Sequence, residues 1–334
     1  MITTFQNVKL RTGEVVQSSI IHTPEPSWVE RIISMLAHKG EPWNWQNSTI
    51  LKEQIEGVDA NFYVLHRSGM PFANIMTVER QGVGIFGHVW TAPGDRQKGA
   101  SSILMEQQMR DFRQRNGRAL YLGTGNQIAK RLYERFGFCE ITSRSGLMAY
   151  AEGSLHQFEE DYFGEHYTSS ARIRKLGWRH WPAACPLFMS RSPGIARHIG
   201  MGIIGLGTPE GPLLPFLQRT EEYPTAPPQM MLLELENGAV AGVASWMHDP
   251  LWPDTCLVDL YCHVNFWSHG EQLLESLHIP SVSQYIAYGD PSCQAKNDIL
   301  HQAGFTQTAT LPHWLIGRGY DSAVDLLLFT KFQT

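Results

Sequence analysis

Residues 96–101 have the composition of a turn that binds an anion. They contain two cations and one glycine, and they read Arg96-Gln97-Lys98-Gly99-Ala100-Ser101. Gly99 lets the backbone approach a ligand at a point where a side chain would collide with it. A long helix is predicted directly after this turn, over residues 102–115. The free N–H groups and the dipole at a helix start both attract negative charge, so we expect a phosphate group to bind here.

The turn lies within a regular series of predicted elements. Before it, the pattern predicts strands near residues 8–10 and 15–16, a helix with Ser27 as its N-cap, a helix over 48–56, and strands over 61–66, 72–79 and 83–91. After it come a strand over 119–123, a helix over 126–135 that ends at Gly137-Phe138, and strands over 139–142 and 146–151. The fold class expected is α/β (α+β), a mixed, largely antiparallel twisted sheet flanked by helices.

The second half of the chain repeats this order in outline. A second Gly-Phe pair, Gly304-Phe305, follows the first by about 167 residues, and it again closes a helix that follows a strand. Helices are predicted there over residues 178–188, 213–218, 270–277 and 291–302. We therefore expect two domains in tandem, at residues 1–151 and 172–334, joined by a linker at 152–171.

Composition limits the class of protein and its partners. The 334 residues are 43% apolar and 18% charged, with no run of 18 apolar residues, so we expect no membrane helix. The first residues lack the regions of a signal peptide, and five cysteines form no CxxC pair, which is typical of a cytoplasmic protein. Residues 1–150 carry 17 Lys and Arg against 13 Asp and Glu, a net charge of +4, whereas residues 151–334 carry 10 against 19, a net charge of −9. Neither half is basic enough to indicate nucleic acid.

The motifs and the order of elements together resemble the GNAT superfamily of N-acetyltransferases. One motif is the turn at residues 96–101, preceded by Thr91-x-Pro93, which matches the pyrophosphate loop of that family. The other is Asn126-x-x-Ala129-x-x-Leu132-Tyr133, followed by Gly137-Phe138. The resemblance covers residues 5–151 well and residues 172–331 as a degenerate second copy. It implies a tandem protein in which each half is a GNAT-like domain.

The resemblance implies that the first domain binds acetyl-CoA as its acyl donor, with no metal. The turn would hold the pyrophosphate, and the strand residues Val89, Trp90 and Thr91 would lie along the pantetheine arm. Family members pair that arm with strand backbone, which would fall to Val89 and Thr91 here. Asn126 matches a position that contacts CoA, and Lys130 would reach the phosphates or point to solvent.

The resemblance also implies catalytic roles. Tyr133 occupies the position of the general acid that protonates the departing thiolate, and a phenol suits that role because it stays neutral at pH 7. The alternative is a tyrosine packed in the core. The Val89 N–H would polarise the thioester carbonyl. Three candidates for the base stay open: His88, turned inward by a bulge in its strand, Glu79 at the end of the preceding strand, or water.

The second copy lacks the residues that the motifs require. Alignment on the Gly-Phe pair places Leu300 at the position of Tyr133, and alignment of Gly270 with Gly99 places Trp267 at Arg96. We therefore expect the second half not to bind acetyl-CoA productively. A metal site from Cys256, Cys262 and His263 fits no structural zinc spacing, so we predict no metal.

The function expected is acetyl transfer from acetyl-CoA to the amine of a small molecule, by direct attack in a ternary complex. The acidic second half favours a cationic acceptor, such as an antibiotic or another secondary metabolite. Two other classes stay open: a GNAT-like decarboxylase or acyl loader that acts on a CoA-bound or carrier-bound acyl group, and a non-catalytic acyl-CoA-binding module. The residues define neither the acceptor nor the oligomeric state.

Overall fold

The computed structural model describes residues 2–222 and 229–333. Met1 and Thr334, the outer ends of the two predicted domains, lie outside the described residues, as does the 223–228 part of the second domain. The chain forms two compact units. The first consists of Met1–Cys139 and Met148–Leu155, and the second consists of Glu140–Leu147 and His156–Thr334.

The first sheet has eight strands in the order β1-β2-β3-β4-β5-β6-β8-β7. Their bounds are β1 (Ile2–Lys9), β2 (Val15–His22), β3 (Asp59–Arg67), β4 (Met70–Arg80), β5 (Val83–Thr91), β6 (Ala119–Gly123), β7 (Cys139–Glu140) and β8 (Leu147–Ala151). Strands β1 to β5 pair antiparallel with their neighbours, whereas β5 and β6 are parallel.

The second large sheet has seven strands in the order β16-β17-β15-β14-β13-β12-β9. Their bounds are β9 (Arg172–Lys175), β12 (Gln229–Glu234), β13 (Val240–His248), β14 (Thr255–Cys262), β15 (Gln284–Gly289), β16 (Thr306–Leu315) and β17 (Val324–Phe332). Strands β10 (Ala196–His198) and β11 (Ile203–Ile204) form a separate small sheet. Read from β9, the large sheet has the strand order of the first sheet without its outermost strand β1, and β14 and β15 are its parallel pair. This shared order agrees with the predicted duplication.

Within the described residues, ten α-helices connect the strands. They are α1 (Val29–Leu36), α2 (Trp43–Lys52), α3 (Ala100–Gln114), α4 (Gln127–Glu134), α5 (Leu155–Tyr162), α6 (His180–Ala183), α7 (Cys185–Met189), α8 (Glu210–Glu222), α9 (Gly270–Glu275) and α10 (Gln294–Gln302). Helix α3 shows why these elements form, because it buries Leu104, Met105, Met109 and Phe112 in the core of the first sheet. Each such side chain contributes about 1.5–3 kcal/mol when it leaves water. The same helix carries the predicted phosphate-binding turn at its start.

Several predicted boundaries are wrong. Ser27 does not cap α1, because its hydroxyl donates to Glu25 Oε1 and the helix begins after Trp28. The second helix lies at Trp43–Lys52 rather than 48–56, with Asn47, Ile50 and Leu51 buried. The helix predicted over 178–188 is two short helices, since Pro186 lacks the N–H that would continue the first one.

Two further segments carry structure that the sequence pattern did not predict. The stretch 152–171, expected to join the halves, holds α5 and a 3₁₀ turn at Glu165–Ser170. Its residues Phe158, Tyr162 and Phe163 are buried, so its aromatic side chains fold it against the second unit. Strand β16 was missed because seven of its ten residues are exposed and its apolar residues do not alternate, so only its pairing with β17 identifies it.

Candidate functional site

The predicted anion-binding turn is built around two residues with positive φ. Gln97 has φ 64° and Gly99 has φ 88°, and Gly99 stands immediately before the first residue of α3. The backbone N–H groups of residues 97–101 donate no hydrogen bond to any described residue. Five consecutive donors at the start of a 15-residue helix are a site for an anion, because unpaired N–H groups need an acceptor.

The cations beside the turn are not equivalent. Lys98 Nζ lies 2.9 Å from Asp95 Oδ1, and Asp95 also binds Arg67 at 2.8 Å. The hydrogen bonds from Arg67 and then from Lys98 lower the pKa of Asp95 to about 2, so this carboxylate stays charged. The Arg96 Nε donates to the carbonyl oxygen of Thr91 at 3.2 Å. The Lys98 charge is therefore largely neutralised by its neighbour, whereas Arg96 keeps most of its donors for solvent or a ligand.

Next to the turn, strands β5 and β6 diverge. They pair only from Val83 to Ile85 with Ala119 to Tyr121, and the rest of each strand separates from the other. We call the gap between them the first wedge, bounded by residues 86–91 and 122–126. Ala92, directly after β5, donates its N–H to the Phe72 carbonyl of β4. Backbone groups alternate in direction along a strand, so those of Thr91 and Val89 point away from β4 and into this wedge. Such a row of strand donors and acceptors can pair with an extended, amide-bearing ligand.

Trp90 lies between these two residues and takes a different position. Its backbone pairs with Asn74 of β4, and its ring stacks on His38 with centroids 5.4 Å apart. The backbone of Trp90 therefore faces the sheet rather than the wedge. Of the three strand residues predicted to bind the donor, Val89 and Thr91 alone direct backbone groups into the gap.

Tyr133 lies on α4 with its ring packed in the core of the first unit. The ring contacts Phe86 of β5 edge to face at 5.3 Å and Phe138 at 6.1 Å, and the residue is 5% exposed. Burial alone raises the pKa of Tyr133, and no described residue hydrogen-bonds its hydroxyl. The phenol is therefore protonated throughout the physiological pH range. The two alternatives from sequence are compatible, because the ring packs in the core while the hydroxyl has no protein partner.

The other residues of the second motif have clear structural roles. Asn126 is the N-cap of α4, with its Oδ1 accepting from the N–H groups of Ile128 at 2.9 Å and Ala129 at 3.2 Å. A cap of this kind contributes about 1 kcal/mol to helix stability. Lys130 Nζ lies 4.0 Å from Glu134 Oε1. Asn126 therefore fixes the start of the helix that carries Tyr133, and its Nδ2 group is left for other contacts.

His88 lies in a β-bulge, the feature on which its proposed role depended. His88 and Val89 together face Ile75 of β4, and His88 has φ 49°. Asn74 Nδ2 supports the bulge by donating to the His88 carbonyl at 3.0 Å. The His88 ring is 6% exposed, and its Nε2 lies 2.9 Å from Gln46 Oε1. Because an amide oxygen only accepts, Nε2 carries the proton in this arrangement.

The environment of His88 makes it a weak base. Burial lowers its pKa to about 3, with smaller effects from Lys39 and His38. A general base works best with a pKa near the operating pH, so a group near 3 has little tendency to take a proton at neutral pH. Gln46 and Trp43 contact this ring from α2, and no sequence pattern indicated them because they lie more than 40 residues away in the chain.

Glu79 lies far from the wedge and is already paired. Arg115 binds both of its carboxylate oxygens, at 2.9 Å and 3.0 Å, and the Glu79 side chain is 1% exposed. Glu79 pairs with Gly84 in the closed part of the sheet, five residues along β4 from Asn74, or about 17 Å. This placement corrects the proposal of Glu79 as a base, because the strand register puts it at the other end of β4.

The second unit has a corresponding pair of diverging strands. Strands β14 and β15 pair from Thr255 to Val258 with Gln284 to Ala287 and then separate. We call the gap beyond Val258 the second wedge. It is bridged by residues 195–200 of the same chain, because Asp259 of β14 accepts from the N–H groups of Ile199 at 3.1 Å and Gly200 at 2.8 Å.

The other side of the second wedge holds the same segment. Asp290, directly after β15, accepts from the N–H groups of Ile195 and Ala196, both at 2.8 Å. Lys296 of α10 donates to the Ala196 carbonyl at 2.7 Å and is 1% exposed. Residues 195–200 are therefore hydrogen-bonded to side chains on both sides of this wedge.

The start of α9 also differs from the start of α3, because a backbone N–H there is hydrogen-bonded within the chain. A 3₁₀ turn at Val264–His269 runs directly into α9, and the Gly270 N–H donates to Trp267 O. Gly270 has φ −63°, an ordinary helical value. The second unit therefore lacks the positive-φ glycine that leaves N–H groups unpaired in the first.

A Ser–His–Asp arrangement in the second unit is structural. His198 Nε2 lies 2.9 Å from Ser245 Oγ, and its Nδ1 lies 3.4 Å from Asp259 Oδ2. However, Nδ1 accepts from the Met201 N–H at 3.1 Å, so the proton is on Nε2 and the ring donates to the serine. All three side chains are at most 2% exposed. A ring with this tautomer cannot take the serine proton, so the arrangement is not a nucleophile.

Metal-binding clusters and membrane-spanning helices are both absent from residues 2–222 and 229–333. No group of three or more His, Cys, Asp or Glu side chains in these residues could hold a metal ion. No helix in the described part of the chain is long and apolar enough to cross a membrane.

Comparisons with known proteins agree with the geometry of the first unit. Residues 32–138 match the model of the Acetyltransferase (GNAT) family. No curated protein matches the chain.

Many solved structures resemble about half of the chain. An N-acetyltransferase from Staphylococcus aureus Mu50 is 19% identical over 48% of this chain and 98% of its own, with a TM-score of 0.39. A ribosomal-protein-alanine N-acetyltransferase from Brucella melitensis is 19% identical over 48% of this chain and 99% of its own, with a TM-score of 0.38. A phosphinothricin acetyltransferase from Sinorhizobium meliloti, solved with acetyl-CoA, is 13% identical over 49% and 88%, with a TM-score of 0.39.

The family match spans the second part of α1 through Phe138, and so contains the turn, the first wedge and the Tyr133 helix. This is the region in which the two sequence motifs lie. Residues 32–138 of the chain are therefore a domain of the GNAT acetyltransferase superfamily.

Proposed function

We propose that the first unit transfers an acetyl group from acetyl-CoA to the amine of a small molecule, by direct attack in a ternary complex. The observation that carries this proposal is the first wedge, which opens beside five unpaired backbone N–H groups. The N–H groups at the turn suit a diphosphate, and the strand backbone in the wedge suits the amides of a pantetheine arm. Acetyl-CoA carries both groups, in that order along its length.

In the proposed reaction, Val89 and Tyr133 each have one role. The amine nitrogen forms a bond to the thioester carbon, and the carbon–sulfur bond breaks. The Val89 N–H stabilises negative charge on the carbonyl oxygen, which is a larger effect in the transition state than in the ground state. The Tyr133 hydroxyl gives its proton to the departing thiolate and recovers one from solvent. No covalent intermediate with the protein is needed.

Water is the proposed acceptor of the amine proton. Of the two protein candidates, Glu79 is paired with Arg115 far along β4, and burial lowers the pKa of His88 to about 3. Water relayed to solvent needs no protein base, and it requires that the amine reach the site in its neutral form. The proposed rate therefore follows the deprotonated fraction of the acceptor.

The acceptor is proposed to be a small amine, and its cationic character is supported only by the acidic second half. A cytoplasmic location is part of the same proposal, and five free thiols suit a reducing compartment. Nucleic acid and membranes are not proposed as partners.

A mass-spectrometric screen tests the proposed function. The protein is incubated with acetyl-CoA and a library of amines, and the products are searched for a gain of one acetyl group. Transfer to one or more amines that depends on the protein is the expected result. Binding of CoA with every amine unmodified would favour an acyl-CoA-binding module, whereas loss of carbon dioxide from a carboxyacyl-CoA, or transfer to a phosphopantetheine thiol, would favour the decarboxylating or loading class.

A further inference from the structure

A fourth cation lies beside the anion-binding turn, outside both sequence motifs. Arg11 belongs to the connection between β1 and β2, and its backbone N–H donates to the Lys98 carbonyl at 3.0 Å. Its side chain lies across Gly99, where an added Cβ would be 3.1 Å from Arg11 Cγ and 3.3 Å from Nε. The stem of Arg11 is therefore packed against the glycine that shapes the turn.

The charges around the turn distinguish Arg11 from Arg67 and Lys98. Arg67 binds Glu14 at 2.7 Å and Asp95 at 2.8 Å, and Lys98 shares Asp95. These two cations thus face two carboxylates and are largely neutralised. The Arg11 guanidinium, by contrast, has no ion pair and no hydrogen bond with any side chain that the structure describes, in residues 7–221 and 229–333.

Position and charge together indicate a ligand for Arg11. An exposed arginine without a partner is common on protein surfaces, but this one is held next to five unpaired N–H groups by its backbone hydrogen bond and its contact with Gly99. A guanidinium presents several donors in one plane and can bind two phosphate oxygens at once. The N–H row and Arg11 can therefore surround a phosphate from two sides.

We propose that Arg11 binds a phosphate in the nucleotide half of the acyl donor. This inference rests on the proposed function, because it takes a CoA thioester as the ligand of the first wedge. The chemistry is the same for the diphosphate and for the 3′-phosphate of CoA, and Arg11 joins Arg96 as a cation at the turn that no described carboxylate neutralises. Arg11 is a binding residue in this proposal and takes no part in the chemical step.

The experiment compares three ligands, CoA, dephospho-CoA and pantetheine, on three proteins, by calorimetric titration. The proteins are the native chain, Arg11→Gln and the control Arg110→Gln. Arg110 is an equally exposed arginine on α3, ten residues past Ala100 and so about 15 Å along the helix axis. Thermal unfolding of each variant verifies that the first unit is folded.

The expected result is that Arg11→Gln binds CoA about 10- to 100-fold more weakly than the native chain, as for other lost hydrogen bonds between charged groups. Arg110→Gln should bind CoA as the native chain does, and pantetheine should not distinguish the three proteins. An equal loss for dephospho-CoA assigns Arg11 to the diphosphate, whereas no loss for dephospho-CoA assigns it to the 3′-phosphate.

Two results would overturn the inference. One is an affinity of Arg11→Gln for CoA within about twofold of the native value, which leaves the proposed function intact and removes Arg11 from it. The other is an equal loss for pantetheine, which would show a general disturbance of the wedge. A native chain that binds no CoA would instead contradict the proposed function, and this inference with it.

Discussion

The two wedges of this protein are made by the same strand order and are used in opposite ways. In the first unit the gap between β5 and β6 begins after Ile85, and the nearby turn leaves five N–H groups without a partner. In the second unit the gap between β14 and β15 begins after Val258, and residues 195–200 are hydrogen-bonded to the side chains of Asp259 and Asp290 on its two sides. The difference shows that a shared sheet does not by itself make a ligand site. Unpaired N–H groups lie beside the gap of the first unit, whereas Asp259 and Asp290 beside the gap of the second unit accept from residues of the same chain.

The largest expected effect follows from the single glycine that distinguishes the two helix starts. Gly99→Val should reduce CoA binding by more than about 100-fold, because a β-branched residue is strained at φ 88° and its Cβ would displace Arg11. If residues 195–200 prevent CoA from entering the second wedge, Gly99→Val should have no other CoA site. The native protein should then bind one CoA per chain. Calorimetric titration measures both the affinity and the stoichiometry.

The matched control is Gly94→Ala, in the same connection, where an added Cβ meets nothing within 4 Å. It should bind CoA with native affinity. If the native chain binds two CoA molecules, or if Gly99→Val still binds one CoA with native affinity, the second wedge also binds a donor.

The next effect concerns the phenol that the first unit has and the second lacks. Tyr133→Phe should lower kcat by about 100-fold, a typical loss for a general acid, with little change in CoA affinity. Because burial raises the pKa of Tyr133, the kcat profile of the native protein should show no loss of this acid up to about pH 10. Steady-state rates with any amine found in the screen provide the measurement.

Tyr150→Phe is the control for this change. Tyr150 belongs to the same aromatic cluster and contacts Phe138, and its hydroxyl accepts from Arg113 Nε at 3.2 Å. Its loss should leave kcat unchanged. Native turnover in Tyr133→Phe would assign the ring to core packing alone.

The third prediction concerns Asp259, which binds residues 195–200 beside the second wedge. Asp259→Asn should lower the free energy of unfolding by about 1–3 kcal/mol, because the two oxygens of Asp259 each accept from a backbone N–H and an amide can present only one acceptor. Turnover and CoA affinity of the first unit should not change. Urea unfolding, followed beside CoA titration, distinguishes the two outcomes. A variant of native stability would show that residues 195–200 are held in place by other contacts.

The smallest expected effect concerns His88 and pH. Its pKa falls from 6.5 to about 3 on folding, so below pH 6.5 the unfolded chain takes up a proton that the folded chain does not. Stability from this residue is complete above pH 6.5 and decreases by up to about 1.4 kcal/mol per pH unit below it. His88→Gln should therefore lose less stability than the native protein between pH 7.5 and pH 5, as measured by urea unfolding at both values.

The same variant decides the role of His88 in turnover. If water accepts the amine proton, His88→Gln should retain kcat within about tenfold, whereas removal of a general base costs about 100-fold or more. A loss of that size, with unchanged CoA affinity, would restore His88 as the base.

The sequence predicted the parts of the fold that local rules control. The strand over residues 119–123, the helix after Gly99 and the helix that carries Tyr133 each depend on a few adjacent residues, and they are found at Ala119–Gly123, Ala100–Gln114 and Gln127–Glu134. Boundaries that depend on packing were predicted poorly. Helix α2 begins at Trp43 and buries residues that the pattern had assigned to a loop, and strand β16 has no apolar alternation to reveal it.

In the candidate site, too, local sequence determined some features and tertiary packing determined the others. The sequence by itself determined that a turn predicted to bind phosphate, a strand and a tyrosine helix follow one another, because their motifs are local and their spacing is fixed by the chain. Only the tertiary structure decided which charges are free, because Lys98 is neutralised by Asp95 and Arg11 reaches Gly99 from another connection. It also decided that Glu79 is paired with Arg115 and that residues 195–200 hold the second wedge. Contacts between groups far apart in the chain depend on how the strands are ordered and registered, and no local pattern contains that information.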